Sequence, residues 1–312
     1  MQVHRSIDAA GGALRGCAVA IGNFDGVHLG HRRLFELARA QGMPRGAPAV
    51  ALTFDPHPVR VLRPEFAPPL LTPLPRKLEL LGTCGLAAVV VQPFDVAYAA
   101  SSAEEFVARD LCGRLGAADV VVGPDFTAGR DRARVDRLRS LLGARGTALT
   151  VADPVTVDGL VVSSTKIREF LLEGSVDGAA LLLGRPHDVD GTVERGDGRG
   201  RGFGFATANM RGEGMLPANG VYAVRAVLGG VERYGGVCNV GVKPTVQRAG
   251  PVTAEAHLFD FDGRDLYGER LRLAFVARLR DERRFPSVDA LRAQIAEDAA
   301  QARTVLADPA PM

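Results

Sequence analysis

The chain has no tryptophan, and only four cysteines and four tyrosines among its 312 residues. Cys17, Cys84, Cys112 and Cys238 form no C-x-x-C pair and no metal-ligand spacing, which excludes a thiolate metal site and a disulfide framework. Three of them lie in apolar surroundings and read as small core residues, as suits a reducing cytoplasm. Excess charge of either sign is also missing. The formal net charge is +2, which gives no reason to invoke nucleic acid or an anionic membrane as a partner. No run reaches the ~20 apolar residues that span a bilayer. No apolar stretch follows Met1-Gln2-Val3-His4-Arg5, so no signal peptide is expected. There is no internal repeat and no low-complexity linker, and the sequence is silent on oligomeric state. Arginine far outnumbers lysine, a compositional bias. What remains, 46% hydrophobic and 24% charged, is an ordinary globular composition long enough for two domains.

Up to about residue 183, strand and helix signals alternate. Cys17 to Ile21, Val50 to Phe54, Ala87 to Val91, Val120 to Val122 and Ala148 to Val151 are short apolar runs that read as strands buried on both faces. Helical patterns lie between them, at 34–40, 76–81, 103–115 (with Ser102 as N-cap) and 135–142. This predicts an α/β domain, a parallel sheet covered by helices, with ligands at the carboxyl ends of the strands. His28, Asp55 and Asp125 each follow a strand, so they are candidates to converge there. Beyond Gly184-Arg185-Pro186, helical periodicity gives way to short alternating strands between glycines. Gly220 to Val227 ends at Gly229-Gly230, a hairpin signal. Strands at 237–242, 254–261 and 271–279 complete a small antiparallel β-barrel. A terminal helix capped by Ser287 carries the stripe Val288, Leu291, Ile295, Ala299 and Ala302, expected to pack on the barrel. The expected division is therefore 1–183 and 184–312.

The most informative segment is Gly22-Asn23-Phe24-Asp25-Gly26-Val27-His28-Leu29-Gly30-His31. It links a strand to a helix start, and two of the six histidines fall on it. His28 and His31 are three apart and share one face of a first helical turn. Free N–H groups and the positive end of the helix dipole favour a phosphate there, and Gly26 and Gly30 let the backbone approach it. The pattern H-x-G-H resembles the arrangement used by nucleotidylyltransferases, which catalyse attack on the α-phosphate of ATP and expel pyrophosphate.

Four other segments carry chemistry. Thr53-Phe54-Asp55-Pro56-His57-Pro58 follows a strand and reads as a stiff loop or a pocket wall. Ser163-Ser164-Thr165-Lys166-Ile167-Arg168 opens a helix, so its hydroxyls and guanidinium suit either a plain N-cap or a phosphate. Its S-x-x-K lacks the S-D-N and K-T-G partners of acyl-transferring enzymes. Gly196 to Gly204 alternates glycine without forming G-x-G-x-x-G, and is either a flap or a surface loop. Just after it, Thr207 and Asn209 point the same way on an extended segment. A hydroxyl and an amide oxygen so placed can hold a Mg²⁺ that bridges ATP phosphates. Alternation around Glu255 turns Ala254, Ala256 and Leu258 to the core and Glu255 outward, where it serves as a general base only beside that site.

Taken together these residues resemble the bacterial bifunctional riboflavin kinase / FMN adenylyltransferase family, over roughly residues 15–305. The resemblance rests on an ordered set: G-x-F-D-G-V-H-x-G-H, T-F-D-P-H-P, P-F-D, S-S-T-x-I-R, G-D-x-R-G-R, T-A-N, G-V-Y, N-V-G-x-x-P-T and E-x-H-L-F-D-F. It implies an N-terminal Rossmann-like nucleotidylyltransferase domain and a C-terminal riboflavin kinase barrel. ATP, riboflavin and FMN would be the substrates and Mg²⁺ the metal. His28 and His31 would then grip the ATP phosphates with Asn23 nearby, and Ser164, Thr165 and Arg168 would bind them from the other side. Pro56, His57, Pro58 and Asp125 would border the flavin. Thr207 and Asn209 would bind Mg-ATP in the kinase, and Glu255 would deprotonate the ribityl hydroxyl. An enzyme with one working half and a flavin carrier without turnover are the competing readings.

Two departures from the family pattern stand out. Ala128 replaces the second Phe of D-F-x-F-G, removing a large apolar contact on the expected flavin side. Ala206 replaces the Pro of P-T-A-N, so the fixed φ ahead of Thr207 is lost. Restoring Ala206→Pro should lower the KM for ATP in riboflavin phosphorylation, measured by steady-state kinetics. An unchanged KM would show that the ring contributes nothing to the nucleotide site.

Overall fold

The computed structural model describes residues 1–194, 207–244 and 249–307. By contact the chain separates into two units. The first comprises Met1–Pro69 and Pro73–Val162, and the second Leu70–Thr72 and Ser163–Met312.

In the first unit six strands form one parallel sheet: β1 (Gln2–His4), β2 (Ala18–Ile21), β3 (Ala49–Asp55), β4 (Ala88–Pro93), β5 (Asp119–Val122) and β6 (Ala148–Val151). Their order is β1-β4-β3-β2-β5-β6, with every pairing parallel. The α/β expectation holds, and the continuous apolar runs have their explanation in burial on both faces. Val19, Ile21, Val50, Leu52, Val90, Val120 and Val122 join one hydrophobic cluster. Their neighbours Ala18, Ala20, Ala49, Ala51, Val89, Val91 and Val121 join another. On that second face the alanines are small, and Leu34, Phe35 and Ala38 of the helix Leu29–Gly42 pack in the same cluster. Two short strands, β7 (Thr156–Val157) and β8 (Leu160–Val161), make a small antiparallel pair.

The strand β1 escaped sequence reading because it is three residues long and mostly exposed, so it carries no apolar pattern. The helix expected over 103–115 changes character along its length. Ala103–Glu105 is α-helical behind a Ser102/Glu105 capping box, and Phe106–Arg114 is a π-helix. A 3.6-residue pattern does not distinguish the two. Cys17 is buried, whereas Cys84 and Cys112 are half-buried.

Ala128 belongs to the core cluster of this unit and pairs with Ala133 in an isolated antiparallel bridge, with N···O distances of 3.0 and 2.8 Å. Gly129 follows with φ +70°. A Cβ there would lie 2.1 Å from Ala103 N and 2.5 Å from Ser102 C.

The second unit is a closed barrel in the order β10-β13-β12-β11-β14-β9. Its strands are β9 (His187–Glu194), β10 (Thr207–Gly212), β11 (Gly220–Leu228), β12 (Glu232–Pro244), β13 (Ala249–Leu258) and β14 (Arg270–Arg280), all paired antiparallel. The helices Ser164–Glu173 and Val176–Leu183 group with this unit, and the second packs on β14 and β9. The terminal helix Val288–Leu306 packs on β11, β12 and β14 and is capped by Ser287 as expected. Its buried face differs from the expected stripe. Val288 is exposed, and the most buried positions are Gln294, Asp298 and Ala302. The reason is an ion pair: Asp298 accepts from Nε and Nη2 of Arg280 at 2.8–3.1 Å, and from Gln294 Nε2 at 2.8 Å. Charge satisfaction sets the helix's rotation as much as apolar area does.

Gly129→Ala should lower stability by about 2–4 kcal/mol, through a left-handed backbone and an unavoidable clash. Gly143, at the end of the helix Val135–Gly143, has open space around a built Cβ. Gly143→Ala should be neutral or stabilising by up to ~1 kcal/mol. Denaturant midpoints of the two variants against wild type test this contrast.

Candidate functional site

Strand order places the first candidate site. Connections from β2 run to β3 on one side, while β5 pairs with β2 on the other, so the crevice falls beyond the carboxyl ends of β2 and β5. The segment 22–28 leaves β2 there, and Gly123-Pro124-Asp125 leaves β5 with Asp125 exposed.

The turn itself is buried and strained. Phe24 and Val27 have φ of +49° and +44°, and both are fully buried. Gly26 has φ +92°, a conformation a side chain would resist. Phe24 meets Phe35 edge-on at 4.8 Å and the His31 ring at 5.3 Å. His28 caps the helix Leu29–Gly42: its Nδ1 accepts from His31 N at 3.3 Å. The two imidazoles stack with centroids 3.5 Å apart. A Cβ on Gly30 would lie 3.1 Å from the His28 ring. His31 Nδ1 is buried without a hydrogen-bond partner. Burial, then the neighbouring His28 and Lys77, holds the His31 imidazole well below its usual range, so it is neutral near pH 7. Asn23 O accepts from Thr53 Oγ1 at 3.2 Å and from Lys77 Nζ at 2.8 Å.

The T-F-D-P-H-P segment ends β3. Asp55 and Pro56 are exposed and joined by a cis peptide, while His57 and Pro58 are half-buried. His57 Nδ1 accepts from Val59 N at 3.3 Å and so caps the five-residue helix Pro58–Leu62. In the second unit, Ser163 Oγ accepts from Lys166 N at 3.1 Å. Behind this cap Ser164 and Arg168 are half-buried and Thr165 is exposed.

The second candidate site lies on the outer face of the barrel. Asn209 on β10 is the register partner of Glu255 on β13, and Glu255 is in turn the partner of Asn239 on β12. Directly opposed residues project to the same face, so the three side chains form one row across three strands. Thr207 and His257 are partners one step along on that face. Ala254, Ala256 and Leu258 are buried and Glu255 and His257 are not, as the alternation requires. Asn209 Oδ1 is buried without a hydrogen-bond partner. Asn239 Nδ2 donates to Glu282 Oε1 at 3.2 Å. Among the described residues there is no group of three or more His, Cys, Asp or Glu fit to hold a metal. Neutral oxygens such as Asn209 Oδ1, together with phosphate oxygens of a nucleotide, suit a hard, well-hydrated cation instead. Ala206 and the glycine-alternating segment up to Gly204 lie outside the described residues.

Residues 12–166 match the FAD synthetase family and residues 183–306 the riboflavin kinase family. The bifunctional riboflavin kinase/FMN adenylyltransferase of Pseudomonas fluorescens is 38% identical, over 98% of each chain. That of Escherichia coli K12 is 37% identical over 92% of each chain. The Bacillus subtilis protein of the same description is 35% identical over 91% of this chain and 90% of its own. The chain belongs to the bifunctional riboflavin kinase/FMN adenylyltransferase family. A crystal structure of a Streptococcus pneumoniae protein described as a macrolide-efflux protein also matches this fold. Its TM-score is 0.83 at 30% identity, covering 92% of this chain and 94% of that one. That description stays with that protein. No described helix here is long and apolar enough to cross a membrane.

Within this family's frame, sequence reading missed two residues. Lys77 is 4% exposed, and its ammonium reaches the carbonyl that opens the His28 turn. Its signal was its position: Leu74, Lys77, Leu78 and Leu81 fall on one helical stripe, where a lysine is out of place. Asn239 completes the Glu255 row, which register alone reveals.

The depressed His31 pKa has a consequence for stability. The folded state binds fewer protons than the unfolded state below the ordinary imidazole value of 6.5. Stability contributed by His31 is therefore present above that value and lost as pH falls through it. Thermal unfolding between about pH 7.5 and about pH 5.5 should show a larger loss in wild type than in His31→Asn. Equal losses would show that His31 is not the titrating group.

Proposed function

We propose that the two sites divide the family's two reactions, residues 1–183 carrying adenylyl transfer and residues 184–312 the kinase. The enzyme converts riboflavin to FMN and FMN to FAD, with ATP as donor in both steps. The reading of the sites rests above all on the register pairing of Asn209 with Glu255, which sets a carboxylate beside an unsatisfied amide oxygen.

In the kinase, Glu255 takes the proton of the ribityl hydroxyl as its oxygen attacks the γ-phosphorus, and ADP leaves. Thr207 and Asn209 supply the neutral oxygens that fit Mg²⁺. The ion, when bound, offsets the negative charge of the phosphates. In the adenylyltransferase, an oxygen of the FMN phosphate attacks the α-phosphorus of ATP and pyrophosphate leaves. Both reactants are anions, so the work is alignment and charge neutralisation rather than covalent catalysis. His28 and His31, with Asn23 beside them, bind the phosphates at a helix N-terminus, where backbone N–H groups and the dipole add to them. Ser164, Thr165 and Arg168 are phosphate-binding residues at a helix start, and Pro56, His57, Pro58 and Asp125 border the flavin. A cytoplasmic location suits free thiols and these small-molecule substrates.

The test is a time course with riboflavin, excess ATP and Mg²⁺, with flavins separated by chromatography. FAD should follow transient FMN. Glu255→Gln should slow FMN formation by about 10²-fold or more while leaving conversion of supplied FMN to FAD intact. His28→Ala should do the reverse. Loss of both activities in either variant would overturn the division of labour. Absence of turnover in wild type would favour a flavin carrier.

A further inference from the structure

Lys77 is one of three lysines in the chain and sits on the helix Leu74–Gly82. Its neighbour Arg76 is half-buried and pairs with exposed Glu79 at 2.8 Å. Lys77 turns inward, 4% exposed, among the leucines of the same helix. A buried ammonium costs desolvation that a methionine or leucine at the same place would avoid. Its surroundings give the compensation. The Nζ donates to Asn23 O at 2.8 Å, on the residue just before the strained Phe24. The carboxylates of Asp25, 2% exposed, and Asp55 attract it. The His31 imidazole also feels its charge. Lys77 therefore links the turn after β2 to the end of β3 through one positive charge.

We propose that Lys77 is a positioning residue for adenylyl transfer, a point charge that fixes the Asn23 carbonyl and offsets Asp25 and Asp55, so that the His28–His31 turn accepts a triphosphate. The proposal rests on the assignment of the ATP site to that turn. Without Lys77, the positive charge that Asp25 and Asp55 attract is gone from the turn that meets the incoming anion. The turn also loses the donor that anchors it where its backbone is least comfortable. Charge balance and anchoring make different demands on a rescue. Removing a carboxylate restores the first and does nothing for the second.

The experiment uses the full-length enzyme and reads both activities. Lys77→Met should raise the KM for ATP in adenylyl transfer at least tenfold and leave riboflavin phosphorylation unchanged. Adding Asp55→Asn to Lys77→Met should recover at least threefold of that loss. An unchanged KM in Lys77→Met would overturn the proposal. So would a loss confined to kcat, with a lower melting temperature and no rescue by Asp55→Asn, since that is what a purely structural residue gives. Should Lys77→Met fail to fold, Lys77→Gln decides, since it keeps a donor for Asn23 O but carries no charge: a KM for ATP raised at least tenfold supports the charge role, and one within threefold of wild type overturns it. His28→Ala, run alongside, separates this proposal from the site assignment. If that variant keeps full adenylyl transfer, the ATP site itself is misplaced.

Discussion

The first site depends on a backbone that two non-glycine residues hold in the left-handed region. Phe24 and Val27 at φ +49° and +44° each cost about 1–3 kcal/mol of strain. Both side chains are fully buried, and burying a Phe or a Val contributes about 1.5–3 kcal/mol. The strain is thus offset by packing, which is why the two strained positions carry apolar side chains. The strained turn delivers His28 to the N-cap, and the cap begins the helix at Leu29. Stacking of His31 on His28 and its edge contact with Phe24 then follow from the same geometry. Phosphate chemistry at this end of the sheet is a product of core packing a few residues away.

The barrel solves its version of the problem without strain. Antiparallel register sets Asn209, Glu255 and Asn239 in line from three strands, of which β10 is remote in sequence from the other two. A shift of one residue in any pairing would send its member of the row inward and a buried core residue outward. The small core residues Ala208, Ala254 and Ala256 sit next to the row in sequence. The buried alternation that stabilises the barrel is therefore the same alternation that presents the site. Stability and function are coupled through parity alone, so the row needs no insertion or bulge to support it.

Much of this was legible in the sequence, and what was missed has physical causes. Alternation of short apolar runs with helices gave the parallel sheet, because strands covered on both faces must be apolar throughout. The H-x-G-H turn was legible because the helix dipole, the cap and the two histidines are local features. Parity placed Glu255 outward but not beside Asn209, since register joins residues far apart in the chain. β1 carried no pattern, being short and exposed. The terminal helix misled for a different reason: Asp298 is buried by its ion pair with Arg280, and hydropathy reads a buried carboxylate as a solvated one. Lys77 carries no signal for the same reason, since hydropathy places a lysine at the surface.

Lys77 shows why such exceptions carry information. The chain has three lysines among 38 basic residues, so its bias runs strongly to arginine. A cation in such a chain is readily arginine, as at Arg76 next door. At position 77 the ammonium meets a carbonyl oxygen at 2.8 Å and is drawn to carboxylates from two separate strand ends. A hydrogen bond to one carbonyl together with attraction to two carboxylates suits a compact charge with rotatable donors. A planar guanidinium places its donors in one plane and is best matched to a single carboxylate. Burial adds to the discrimination, since the longer side chain has more volume to fit among Leu74, Leu78 and Leu81. The geometry of the turn selects lysine against the composition of the rest of the molecule.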